Sequence, residues 1–280
     1  MTLSTLEIEH WNKVQQRDHL IGTSVTGWQD ALAMVGYTEE DEVKLMNALR
    51  RVSREEANRF ANELRIPTPL LATTVKPEGT LSQIAGGVSA GVHMSHSPYY
   101  IRRIRINSTD PLVMVAKELG WNIHAEVGTN GSMDEDYLAS QEAIDSARTL
   151  VIDFPIESGA IRTKDDTTVK EQLETYFRFQ KHYTEHNSSN TIDVKPHEWL
   201  EAEEIIFNNW DNFVGVSFLA HDGGTYKLAP YEAITEEEYE AKKATMKSFD
   251  AKLLRKYEVS ETEFDEDNME SCSNGVCPIR

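Results

Sequence analysis

Short apolar runs alternate with amphipathic stretches along most of this chain, and that alternation limits the folds open to it. "PLLATTV", "ARTLVIDFP", "NTIDV" and "VGVSF" read as strands, the second stopped by Pro155. Helical patterns lie among them. "TEEDEVKLMNALRRVSREEANRFANELR" has Thr38 as its N-cap and acids in its first turn. "DPLVMVAKELG" opens with Asp110 and Pro111 and closes at Gly120. In "TTVKEQLETYFRFQKHYTEH", Val169, Leu173, Tyr176, Phe177 and Gln180 stack at helical spacing. "STLEIEHWNKVQQRDHL", "WQDALAMVG" and "EWLEAEEIIFNNW" add three more helices, and "IGTSVTG" a turn or short strand. Strands alternating with helices predict an α/β domain with a largely parallel sheet.

At 280 residues and 39% hydrophobic, the chain can bury a sizeable core as one large domain or two small ones. No apolar run approaches the roughly 20 residues that span a bilayer. The start, "MTLSTLEIEH", lacks the basic and apolar regions of a signal peptide, so the expected compartment is the cytoplasm, with no membrane association. Lys and Arg number 28 against 47 Asp and Glu, a formal charge of −19. That balance opposes direct nucleic-acid binding, which depends on basic side chains at phosphates. A polyanionic substrate would need a local basic pocket; acidity alone describes a solvated surface.

The texture changes near Val259. Residues 1–258 read as the α/β portion, whereas 259–280, beginning "VSETEFDEDNME", form an acidic, apolar-poor tail that cannot offset its ordering entropy and is expected to be flexible. The only two cysteines, Cys272 and Cys277, sit in its last nine residues, spaced C-x4-C around Asn274 and Gly275, which favour a turn. The thirteen residues from Val259 to Cys272 reach roughly 20 Å, at about 5–6 Å × √n for a flexible coil. A zinc site would want about four ligands, and no other cysteine exists. The spacing fits a swinging dithiol working by thiol–disulfide exchange, and it also fits two incidental thiols.

A second candidate site is "KPEGTLS". Pro77 sets the backbone for a tight turn, Gly79 permits it, and Thr80 begins a short helix whose free N–H groups, with the Thr80 and Ser82 hydroxyls, suit an anion. Thr80 and Gln83 equally fit a capping box, in which Thr80 only satisfies its own helix. Arg102, Arg103 and Arg105 in "YYIRRIRI" pair with surface carboxylates or lend positive field to a phosphorylated ligand; Tyr99 and Tyr100 read as packing residues. "HYTEH" matches a zinc-peptidase pattern, with His182 and His186 on one helix face and Glu185 as base. The same residues suit a helix C-terminus. His93 and His96 in "HMSH" read as loop residues.

Taken in order, "TTVKPEGTLSQIAGGVSAGVHMSHSPYYIRRIRI", "FRFQKHYTEHNSSNTIDV", "GGTYKLAPYEAITEEEYE" and "CSNGVCPIR" resemble the C-terminal portion of the monomeric, class II, adenosylcobalamin-dependent ribonucleoside-triphosphate reductases. The resemblance runs from about Leu20 to Arg280. It implies part of a ten-stranded α/β barrel, the second of two half-barrels, with a flexible C-terminal tail. It also implies that Pro77, Glu78, Gly79, Thr80, Leu81 and Ser82 hold the phosphates of a ribonucleoside triphosphate. Cys272 and Cys277 would re-reduce the active-site disulfide and be reduced in turn by thioredoxin. Adenosylcobalamin would bind at a site shared with the rest of the enzyme. The family's chemistry also needs a thiyl-radical cysteine, two more cysteines and a carboxylate. Both thiols here match the tail, so the chain is expected to need an N-terminal reductase portion carrying the radical cysteine. The alternatives are a zinc metallopeptidase through His182, Glu185 and His186, and a non-catalytic relic.

Overall fold

The computed structural model describes residues 3–160, 162–221 and 227–258. The expected tail, 259–280, with Cys272 and Cys277, lies outside the described residues. In chain order the elements begin with helices α1 (Glu9–Asp18), α2 (Trp28–Val35), α3 (Glu39–Leu64) and α4 (Leu81–Ile84), then strand β1 (Tyr99–Asn107). Next come α5 (Pro111–Leu119), β2 (Ile123–Ala125), α6 (Glu135–Leu138), α7 (Gln141–Ser146) and β3 (Thr149–Glu157). They continue with α8 (Val169–His182), β4 (Thr191–Val194), α9 (Trp199–Asn208), β5 (Ser217–Ala220) and β6 (Tyr231–Ala233), and end in α10 (Glu236–Thr245) and α11 (Ala251–Tyr257). No helix among the described residues is long and apolar enough to cross a membrane.

The chain divides into two compact units, the first comprising residues up to Arg102 with Phe154–Ala241, the second Arg103–Asp153 with 242–258.

In the first unit the N-cap read from sequence at Thr38 is present. Thr38 accepts from the Asp41 N–H, and Asp41 accepts from the Thr38 N–H in return, which opens α3 with four acids in its first turn. Thr168 and Glu171 form the same box at the start of α8. α8 buries Val169, Leu173, Tyr176 and Phe179, so the stripe includes Phe179, while Phe177 and Gln180 are only partly buried. One core cluster gathers Trp28, Met46, Val75, Val92, Phe179 and Tyr183; another joins Val169, Leu173, Ile192, Val194 and Ala202. Trp28 and Phe179 meet edge to face at 5.0 Å.

The largely parallel sheet is only partly realised. β4 and β5 pair in parallel, and single parallel bridges link Thr23 to Thr73 and Val75 to Ser188. "PLLATTV" is thus a buried extended segment held at two bridges. β6 pairs antiparallel with β1, Tyr100 facing Ala233 and Arg102 facing Tyr231. The strand order in this unit is β3-β1-β6. Pro155 does not stop β3, which continues to Glu157. There β3 is the edge strand beside β1, and an edge tolerates the missing N–H.

In the second unit β2 pairs antiparallel with β3, and α5 packs on α11. Asp110 caps α5 ahead of Pro111, and Gly120 ends it at φ 70°, as the sequence predicts. Arg103 does not reach a surface carboxylate. Its Nε lies 3.0 Å from Oδ1 of Asp153, and both side chains are buried. Asn122 donates to the other Asp153 oxygen (2.8 Å), with His124 Nε2 3.3 Å from it. Burial opposes the Asp153 charge, but the His124 hydrogen bond and the charges of His124 and Arg103 outweigh it and hold the carboxyl below its usual range.

Candidate active-site cavity

The loop predicted to hold phosphate follows the buried segment ending at Val75. Val75 donates to the Asn187 carbonyl and accepts from Ser189, and Lys76 N–H reaches Ser24 Oγ at 2.9 Å. These bonds anchor one end of the loop. A turn follows, but its left-handed residue is Glu78 (φ 56°), not Gly79. Pro77 therefore precedes a strained non-glycine position. Gly91 crosses behind: a Cβ there would lie 2.6 Å from the Lys76 carbonyl oxygen, so only glycine lets the two backbones approach.

The capping-box alternative for Thr80 is not realised. Thr80 has helical φ/ψ, and its side chain makes no capping hydrogen bond. Its exposed hydroxyl remains available. Ser82 is buried instead, its hydroxyl 3.4 Å from the Gly79 carbonyl, so it braces the loop. Leu81 is 49% exposed, which leaves its side chain outside the core.

Pro77 and Gly79 line a cavity of about 320 Å³; Glu78, Thr80, Leu81 and Ser82 are not among its lining residues. Its walls also include Gln29, Ser89, His93, His96, Tyr100, Lys164, Asn190 and Tyr231. Thr191 N–H donates to His93 Nε2 (3.0 Å), so Nδ1 carries the proton and donates to the Ala90 carbonyl (2.8 Å). Burial pushes the His93 imidazole down, against the Ala90 hydrogen bond and the Asp193 charge. His93 is thereby a neutral structural wall.

His96, a loop residue as the sequence predicts, also lines the cavity, which no local pattern signals. Its ring lies 5.5 Å from that of Tyr231, tilted by 31°, and 6.1 Å edge-on from Tyr100. Burial, then the Lys164 charge, push its pKa down to about 4, against Asp165. The Tyr100 phenol, within 3.3 Å of the Gly87 carbonyl, is pushed up to about 12 by burial, Tyr231 and Asp30. His96 and Tyr100 are thus uncharged near neutrality. Arg102 lies over the Tyr231 ring at 4.5 Å and donates to the Pro230 carbonyl, so it holds that ring in place. Tyr99 packs on Tyr239, as a packing residue should.

The zinc pattern is not assembled. α8 ends at His182, so His182 and His186 do not share a helix face. His186 Nε2 lies 2.8 Å from the Ile21 carbonyl, while Glu185 binds Arg54 and accepts the Ala72 N–H. A carboxylate so engaged is not a free base. No group of three metal-ligating side chains occurs among the described residues. The cavity is also too small to enclose a corrin, so it does not fit adenosylcobalamin by itself.

No family model matches the chain. Among curated proteins, it is 24% identical to the adenosylcobalamin-dependent ribonucleoside-triphosphate reductase of Levilactobacillus brevis, over 100% of this chain and 39% of that protein. It is 29% identical to the enzyme so named from Euglena gracilis, over 96% of this chain and 35% of that protein. The chain therefore spans about two-fifths of the length of these relatives. Among solved structures, a B12-dependent class II ribonucleotide reductase superposes with a TM-score of 0.69 at 22% identity, covering 90% of this chain and 36% of that one. At that identity the likeness is one of fold. By sequence along its whole length, and by fold over nine-tenths of it, the chain resembles the C-terminal portion of the adenosylcobalamin-dependent ribonucleoside-triphosphate reductases.

Proposed function

We propose that this chain supplies two parts of a ribonucleotide-reducing enzyme: the 77–82 loop that holds substrate phosphates and the Cys272–Cys277 dithiol that restores the active site. The observation that carries this reading is the match of the whole chain to relatives named for that reaction. The cavity lined by Pro77 and Gly79, with the free Thr80 hydroxyl beside it in sequence, supports the substrate half.

The radical-bearing cysteine and the active-site disulfide belong to residues outside this sequence, in the same polypeptide or a second one, because the two thiols present both match the reducing tail. Radical generation would be the chemistry that adenosylcobalamin supplies to the assembled enzyme, at a site these described residues do not form alone. This chain's residues orient the phosphates and deliver reducing equivalents. In that delivery a Cys272 or Cys277 thiolate attacks the active-site disulfide, and the second tail thiol releases the mixed disulfide. Two electrons pass inward, a tail disulfide results, and thioredoxin reduces it.

In the assembled enzyme, Cys272→Ser or Cys277→Ser should leave the first turnover intact and stop repeated turnover with thioredoxin. A small dithiol that diffuses into the cavity should restore cycling. Single-turnover product compared with steady-state rate measures this; serine variants that cycle normally with thioredoxin rule out the swinging dithiol.

A further inference from the structure

The cavity beside the loop has one lysine or arginine among its lining residues, Lys164. It opens a short 3-10 turn (Lys164–Asp166), and its N–H is fixed to the Ser95 carbonyl at 2.9 Å, next to His96. Nearby bases are occupied. Arg162 binds Glu171 at 3.0 Å, and Lys195 Nζ reaches the Asp165 and Thr167 carbonyls. Lys164 is half-buried, and its ammonium has no hydrogen-bond or ion-pair partner among the described residues. In a chain with 47 acids for 28 bases, a half-buried cation left unpaired at a cavity wall needs an explanation.

Its surroundings supply one. The charge of Lys164 reaches the His96 ring. That ring and Tyr231 present uncharged aromatic surface in the same cavity, with Pro77 and Gly79 also on its wall. A cation beside neutral aromatic faces suits a planar ring that carries an anion.

We propose that Lys164 is the anion-pairing residue of this cavity and selects a nucleoside phosphate whose ring rests on His96 and Tyr231. This rests on the reading of the cavity as a nucleotide site. Calorimetric titration of the 280-residue chain with ATP, adenosine and tripolyphosphate tests it, using Lys164→Met and Lys164→Arg variants confirmed folded by circular dichroism. The wild-type chain should bind ATP more tightly than either other probe. Lys164→Met should lose about tenfold or more in ATP affinity, as for a hydrogen bond to a charged group, with adenosine unchanged and Lys164→Arg close to wild type. Undiminished ATP affinity in Lys164→Met overturns this inference and leaves the nucleotide reading standing. Tripolyphosphate bound as tightly as ATP contradicts the stacked ring. A wild-type chain that binds none of the three overturns the nucleotide reading itself.

Discussion

Glu185 stands in a stretch that spells a metallopeptidase pattern, yet its neighbours give it other work. Burial would raise its pKa, but the Arg54 hydrogen bond, the Ala72 N–H and the charges of Arg54 and Arg50 outweigh that and hold it below the usual carboxylate range. A depressed folded pKa means its stabilising contribution is present above the unfolded value of about 4.3 and is lost as pH falls through the lower folded one. Glu185→Gln should therefore cost about 1–3 kcal/mol near neutrality, as for a hydrogen bond between charged groups. The gap to wild type should close on acidification below about pH 4; urea unfolding at several pH values checks this. Thr80 gives the opposite expectation. Its side chain makes no capping bond, so Thr80→Val should shift stability by less than about 0.5 kcal/mol. Nucleotide affinity in the assembled enzyme should nonetheless weaken by roughly 1–3 kcal/mol if the hydroxyl donates to phosphate. The two measurements together separate binding from capping. What was legible at this scale was a turn and short helix after Val75. That Glu78 takes the left-handed position, and that His96 meets Tyr231, depends on contacts far apart in sequence, which no local pattern encodes.

Helix ends were the readable elements, because a cap is a local bargain among four residues. Thr38 with Asp41 and Asp110 with Pro111 appear where their side chains predict. Thr38→Ala should cost about 1 kcal/mol through loss of the α3 cap, seen as a lower urea midpoint with an unchanged slope. Strand pairing was less legible. The apolar runs locate β3 and β4, but parallel or antiparallel partnership is set by which segment returns beside them. "YYIRRIRI" acquires β6 from far downstream, and Pro155 survives within β3 because its neighbour lies on one side only in that unit. The basic cluster dissolves for the same reason: Arg102 goes to an aromatic ring and Arg103 to a buried carboxylate.

At the scale of the whole chain, length and thiol count decide what it can do. It covers about two-fifths of its relatives, and the proposed function assigns its two cysteines to the reducing tail. The described cavity, proposed to take a nucleotide, is too small to enclose a corrin. Chemistry that needs a radical cysteine and a cobalamin therefore needs residues from beyond this sequence. The direct measurement is formation of deoxyribonucleotide from a ribonucleoside triphosphate, with adenosylcobalamin and a dithiol, by these 280 residues alone and together with the N-terminal reductase portion that the relatives possess. The account predicts no product from the 280 residues alone and cobalamin-dependent product once that portion is present. Product from the 280 residues alone, or none from the folded assembly, would contradict it.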